Sequence, residues 1–332
     1  MQLIDQRPPP GYTLDFAQLS AFETHLDPAN PEDCSIPHRV LGYGEISTVC
    51  EIHTSGLQGL AFKRMALFEN PGELAGYLRT YNAYNRTLEE EIGIQAPAHG
   101  YAALLGDDGR PIFYIIQERL DGGSIACNLL HTLSLASIQS LVEAVLSRLL
   151  KVWTFNRSQP RVQVGIDGQI SNWAVRGLDP QRAELGPDVV LIYIDNSSPL
   201  IRVEGVEQLD PELFLRAAPS FLAWILRRFF LQDVLDRYYD PRRVIVDLIA
   251  NFHKEGRADL IPDIIRQANR FLEQRLSAAG LKPISEKEVD AYYREDALIW
   301  RLYSNMRRLD RFIQTKILRK PYPYILPGKV KR

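Results

Sequence analysis

Apolar positions in the first third of the chain fall into short runs of the kind that form strands: "STVCEIH", "GLAFKRM" and "PIFYIIQERL". Between the last two the period changes. From about Pro71 to Glu91, and on to the next residue, Leu74, Leu78, Tyr81, Leu88 and Ile92 recur at helical spacing. The turn-rich "GDDGRP" then separates two apolar runs, as in a hairpin. Further along, the pattern is mostly helical and the starts are marked. Asp210 is a candidate N-cap, with Pro211 in the first turn, for "LDPELFLRAAPSFLAWILRRFFLQDVLDRYY". Asp240 and Pro241 repeat the device before "RRVIVDLIANF", and Ser285 with Glu288 forms a capping-box pattern before the last long helix. One β hairpin interrupts this half, "NWAVRG" and "VVLIYID", joined by "LDPQRAELGPD". The pattern predicts an α+β chain: an N-lobe of antiparallel sheet plus one helix, then a mostly helical C-lobe with a β hairpin. The hinge falls near "QERLDGGS".

Composition narrows the class. The chain has 332 residues, 45% hydrophobic and 24% charged, with a formal net charge of -2. That is an ordinary globular balance. It offers no broad attraction to nucleic acid or anionic lipid, so neither a nucleic acid nor a membrane is expected as partner. Three cysteines without C-x-x-C spacing fit a reducing compartment and neither a disulfide framework nor a zinc site. The start "MQLIDQRPPP" lacks a signal-peptide pattern, and no apolar run is long and unbroken enough to span a bilayer, so a cytoplasmic location is expected. The tail "KILRKPYPYILPGKVKR" is locally cationic and reads as a solvated terminus.

Four segments carry candidate chemistry. "VLGYGEISTVCEI" is a G-x-G turn between two β-type runs, where glycines let the backbone approach a phosphate; alone, it equally suits a plain hairpin. "LAFKRM" sets Lys63 within an apolar strand, on the alternation of the buried face, where an ammonium needs a carboxylate or a phosphate unless it snorkels at an edge. "VGIDGQISNWAV" holds Asp167 and Asn172 as D-x-x-x-x-N, a polar turn when taken alone. "IYIDNSSP" ends a strand on Asp195, a carboxylate placed to bind a hard cation or to start a turn.

In order and spacing, these segments resemble the protein-kinase-like superfamily, which includes the aminoglycoside and choline phosphotransferases. "LGYGEISTV" looks like the glycine-rich loop, with Gly42 and Gly44 kept and Ser47 in place of the third glycine; "AFK" looks like the A-x-K of the third strand. "QERLDGGSI" is similar to the hinge, with Gln117 at the gatekeeper position, and "DGQISN" has the catalytic-loop spacing. The similarity runs motif by motif over roughly residues 37 to 200. It implies a bilobal protein-kinase-like fold: residues 1–36 an N-terminal extension, 37–120 the N-lobe, and 121–332 the C-lobe with a helical C-terminal extension. It also implies ATP and magnesium as cofactors, with adenine at the backbone of Glu118 to Leu120. Phosphates would meet Gly42, Tyr43, Gly44, Ser47 and Lys63, the metal Asn172 and Asp195, and the acceptor hydroxyl Asp167. The second half also resembles an uncharacterised bacterial family of kinase-like proteins, a likeness that brings no activity with it.

The pattern departs from conventional protein kinases in places. Gly165 and Ile166 stand for the His-Arg before the catalytic Asp, Gln169 for a lysine, and Asn196-Ser197 for Phe-Gly. The helix residue that would pair with Lys63 is either Asn85 or Glu89, one turn apart. Asp247 and Asn251, also one turn apart, either line an acceptor site or form a satisfied polar pair. These departures leave three readings. The first is an atypical phosphotransferase, its unknown acceptor rather a small molecule than a protein, given the short stretch after Asp195. The second is a pseudokinase-type nucleotide-binding scaffold or switch, and the third a nucleotidyl transferase on the same fold.

Overall fold

The computed structural model of the chain describes residues 1–44, 47–178, 184–186, 188–216, 231–320 and 322–327. An antiparallel sheet forms its N-terminal part from β1 (Gln2–Arg7), β2 (His38–Tyr43), β3 (Thr48–Ile52), β4 (Leu60–Met65), β5 (His99–Leu105) and β6 (Pro111–Glu118). The spatial order is β1-β5-β6-β4-β3-β2. One face carries α1 (Phe16–His25) and the other α2 (Pro71–Arg86). Local chemistry sets α2's limits. The Asn70 side chain accepts from Glu73 N at 3.1 Å and Pro71 fills the first turn. At the far end a π turn, Thr87–Ile92, closes on Gly93 in the left-handed region, with φ of 76°.

Both faces of this sheet are buried, which is why "IFYII" reads as a continuous apolar run. Tyr114 and Ile116 face α1, in a core with Leu19, Phe22, Ile52 and Phe62. Phe113 and Ile115 face α2 and a core continuous with the helical part. The outer core also buries a charge. Arg64 lies 2.6 and 2.8 Å from the Glu23 carboxylate, which Tyr114 OH also bonds. Arg64 further donates to Pro323 O at 2.7 Å and Thr48 Oγ1 to Ile325 O at 3.4 Å, so the C-terminal residues lie over this sheet face.

The pattern along residues 1–36 announced neither β1 nor α1. β1 reads "QLIDQR", five of its six side chains exposed, and it is held by backbone pairing to β5, Gln2 opposite Leu105 and Arg7 opposite Tyr101. An edge strand held by main-chain bonds leaves no apolar alternation to read.

The rest is mostly helical, as expected: α3 (Ala126–Leu129), α4 (Leu135–Ser158), α5 (Glu212–Leu215), α6 (Leu231–Arg237), α7 (Pro241–Lys254), α8 (Ile261–Arg275) and α9 (Glu286–Phe312). Asp240 caps α7 by accepting from Arg242 N and Arg243 N at 2.8 and 3.0 Å. Ser285 caps α9 by accepting from Glu288 N at 3.3 Å. Asp210 accepts from Glu212 N at 2.9 Å, but the described part of that helix is only Glu212–Leu215; residues 217–230 of the expected long helix lie outside the described residues. Short strands complete this part: β7 (Val162–Val164), β8 (Trp173–Val175), β9 (Leu191–Tyr193), β10 (Ile201–Val203) and β11 (Val206–Glu207). β8 and β9 form the expected hairpin, Trp173 opposite Tyr193.

Candidate functional site

Strand alternation on β4 sends Arg64 to the outer core and Lys63 to the junction with the helical part. There Lys63 Nζ lies 2.8 Å from Asp195 Oδ1 and also bonds Ser197 Oγ, which itself lies 2.8 Å from Asp195 Oδ1. Lys63 and Asp195 are 19% and 20% exposed, so the pair is neither free nor sealed. Burial acts to raise the Asp195 pKa, but Lys63 and the Ser197 hydrogen bonds outweigh it and hold the carboxyl below its ordinary range.

The D-x-x-x-x-N spacing is a closed turn. Asp167 Oδ1 accepts from Gln169 N at 3.1 Å, and Asn172 Nδ2 donates back to Asp167 O at 3.4 Å. Ile194 N donates to Asn172 O at 2.9 Å, which sets this turn beside Asp195. Gly168 lets the turn seat between α4 and α7: a Cβ there would stand 2.7 Å from Val244 Cγ1 and 3.2 Å from Leu149 Cδ1. Burial first, then the nearby carboxylates Asp247 and Asp195, push the Asp167 pKa up to about 8. Burial and Asp296 raise Asp247 to about 6.

Gln169 turns away into α7. Its Nε2 donates to Asp247 Oδ2 at 3.2 Å, and its Oε1 accepts from Asn251 Nδ2 at 3.3 Å. Asp247 and Asn251 therefore hold the turn, although Asn251 Oδ1 is buried without a hydrogen-bond partner among the described residues.

Neither candidate partner reaches Lys63. The Asn85 amide bonds its own helix at Tyr81 O, 2.8 Å away, and Glu89 lies 2.7 Å from His99 Nε2. Three tyrosines connect α2 to the site instead. Tyr77 OH donates to Ser197 O at 2.7 Å, Tyr81 OH accepts from Asn196 Nδ2 at 3.3 Å, and Tyr84 OH donates to Gly165 O at 3.1 Å. Gln117 holds the same segment from β6, its Nε2 donating to Asn196 Oδ1 at 2.9 Å and to Ile194 O at 3.1 Å. The i, i+4, i+7 spacing of the tyrosines was the available signal, but an apolar reading treats tyrosine as core and passes over its hydroxyl.

The remaining expected residues are more dispersed. Gly42 and Tyr43 end β2, and Gly44 N donates to Ser47 O at 2.9 Å just beyond the G-x-G, with residues 45 and 46 outside the described ones. Gly42 faces open space, Tyr43 is exposed and Ser47 is buried. At the lobe junction, Glu118 N is already bonded to Ala98 O at 2.7 Å and its carboxylate to Arg176 at 3.1 Å. Leu120 is half-buried and makes no backbone hydrogen bond among the described residues.

For a hard cation the donor chemistry is suitable: among the described residues, Asp195 and Asn172 both present side-chain oxygens at the site. No group of three His, Cys, Asp or Glu side chains among those residues could hold a metal, so such an ion would need phosphate and water oxygens as well. No described helix is long and apolar enough to cross a membrane.

Comparison with curated proteins returns no match. Among solved structures, WaaP in complex with acyl carrier protein aligns over 80% of this chain and 99% of its own, at 16% identity and a TM-score of 0.34. The kinase domain of maize sucrose-induced receptor kinase 1, bound to AMP-PNP, aligns over 80% and 100%, at 11% identity and a TM-score of 0.36. Residues 37–311 match a family of unknown function, DUF6206, and the chain belongs to that family.

Proposed function

We propose that the protein is an ATP- and magnesium-dependent phosphotransferase of the kinase-like type, acting on an acceptor hydroxyl. One observation carries the reading: Lys63 meets Asp195 across the lobe junction at 2.8 Å, while backbone bonding sets Asn172, and with it the Asp167 turn, alongside. Lys63 exchanges its carboxylate for phosphate oxygens when nucleotide enters. Asp167 takes the acceptor's proton as the acceptor oxygen bonds the γ-phosphorus and the bond to the bridging oxygen breaks, leaving ADP. An Asp167 pKa of about 8 makes it a stronger base than an ordinary carboxylate once ionised. Magnesium held by Asp195 and Asn172 would neutralise phosphate charge. A small-molecule acceptor is favoured because the chain enters β10 at Ile201, leaving only five residues after Asp195.

Thermal stability with ATP and magnesium, separately and together, tests this in wild type and Asp195→Ala. Ligand at a hundred times its dissociation constant adds about 2.7 kcal/mol. Stabilisation that needs both components and vanishes in the variant supports the reading, and transfer from labelled ATP to candidate acceptors follows. No response to any nucleotide removes it. A second reading, a nucleotide-binding scaffold without transfer, is favoured by Gln169, whose side chain is engaged by Asp247 and Asn251 where kinases keep a lysine. In that case nucleotide stabilises the protein but no acceptor is labelled.

A further inference from the structure

Residues 298–318 carry seven of the fifteen large apolar side chains that are exposed among the described residues, each between 36% and 63% accessible. Leu298, Leu302, Leu309 and Phe312 share one stripe of α9. At 100° per residue they fall within an arc of about 80°. Ile317 and Leu318 continue the apolar surface past the end of the helix. The opposite side of α9 is occupied. Val289 and Arg307 are buried, and the Arg307 guanidinium stacks over Tyr303 and Tyr324 at 5.6 and 5.1 Å. The stripe is therefore not a displaced core face; the core face of this helix already has its neighbours.

Charge identifies what the stripe suits. Residues 298–320 contain seven basic residues and one acid, Asp310, within a chain whose overall net charge is -2. The whole-chain balance conceals a strongly cationic segment. Arg301, Lys316, Arg319 and Lys320 are exposed beside the apolar residues. An apolar stripe rimmed by Lys and Arg on a helix of 27 residues, about 40 Å long, has the make-up of an interfacial helix. Its leucines and phenylalanine enter the acyl boundary while the basic side chains meet headgroup phosphates. A second copy is a poor occupant, because two such segments of like charge would repel. The acidic remainder of the chain favours an orientation with α9 toward the lipid.

We propose that this face of α9 docks the protein on an anionic lipid surface, lying in the interface without crossing it. The inference is independent of the phosphotransferase reading. The test is co-sedimentation of the full chain with vesicles of phosphatidylcholine alone, or of phosphatidylcholine with phosphatidylglycerol. Wild type is compared with Leu309→Asp/Phe312→Asp, Lys316→Glu/Lys320→Glu and, as a control on α8, Arg270→Glu. All substituted side chains are exposed, so thermal stability reports whether folding is intact.

Expected is binding to the anionic vesicles only, weakened by salt. Leu309→Asp/Phe312→Asp abolishes it, Lys316→Glu/Lys320→Glu lowers it at least about tenfold, and Arg270→Glu leaves it unchanged. No binding by wild type overturns the proposal, as does equal loss in Arg270→Glu or full binding by either stripe variant. A wild-type dimer made monomeric by Leu309→Asp/Phe312→Asp would reassign the face to self-association. Capture of an acidic protein in place of vesicles would likewise overturn the lipid assignment.

Discussion

Lys63 and Asp195 stand 132 residues apart in sequence and 2.8 Å apart in space, and Ser197 completes the contact. No carboxylate of α2 shares the lysine among the described residues. The pair therefore ties the sheet to the helical part at the candidate site, beside the Gln117 bonds to Ile194 and Asn196.

Lys63→Ala leaves Asp195 without its cation. Because each partner is about a fifth exposed, the loss falls below that of a sealed pair, about 1–3 kcal/mol in urea denaturation. Transfer activity, where measured, drops about 10²–10³-fold. An unchanged rate in this variant would remove Lys63 from the reaction.

Tyr77→Phe and Tyr81→Phe each delete one hydrogen bond to the Asp195–Ser197 segment. Each is expected to cost about 1 kcal/mol in stability. If α2 positions that segment, the drop in kcat exceeds what the stability change explains, and the nucleotide-dependent stabilisation shrinks. Full kcat in both variants would reduce the tyrosines to packing.

Stability of the metal-free protein falls as pH rises from about 4 toward about 8. The folded carboxyls of Asp167 and Asp247 titrate near 8 and 6, whereas an unfolded aspartate titrates near 3.9. Across that window the folded state binds protons that the unfolded state has released, so the slope is negative and levels off above the upper value. Asp195 acts oppositely. Its lowered pKa contributes stability that is lost only below about pH 4. Asp167→Asn should flatten the slope and be more stable than wild type at pH 8, measured by denaturation in the presence of a chelator. A variant no more stable than wild type at that pH would mean that the Asp167 carboxylate is ionised at little cost.

Glu23→Ala strands the buried Arg64 guanidinium beneath α1 and should cost about 3–5 kcal/mol. Replacing both partners, Glu23→Leu with Arg64→Met, should recover most of the loss. A small effect of Glu23→Ala would show that water reaches the outer face of the sheet.

Much of the fold could be read from local pattern because its signals are local. Asp240 with Pro241 and Ser285 with Glu288 start helices by bonding backbone within the same turn. The alternation in "LAFKRM" already separated Lys63 from Arg64. α1 and β1 escaped for the reason that hides most edges: β1 is held by pairing to β5, and α1 by packing on a sheet face formed much later in the chain. Gly168 looked like part of a polar turn, yet its constraint comes from Val244, seventy-six positions away. Nothing in the local pattern of α9 distinguishes Leu298 and Leu302 from core leucines, and only the neighbours actually present on the helix show that they face outward.

By itself, the sequence determined the α+β order beyond residue 36, the helix starts at Asp240 and Ser285, the β8–β9 hairpin, and the residue types spaced along Lys63, Asp167, Asn172 and Asp195. Tertiary structure decided how those groups are partnered: Lys63 with Asp195 and Ser197 instead of Asn85 or Glu89, Gln169 with Asp247 and Asn251, and three tyrosine hydroxyls on the site's loops. The reason is physical. Caps and periodicity act within a few residues of backbone, whereas an ion pair depends on where two distant segments come to rest and which competing partner lies nearer.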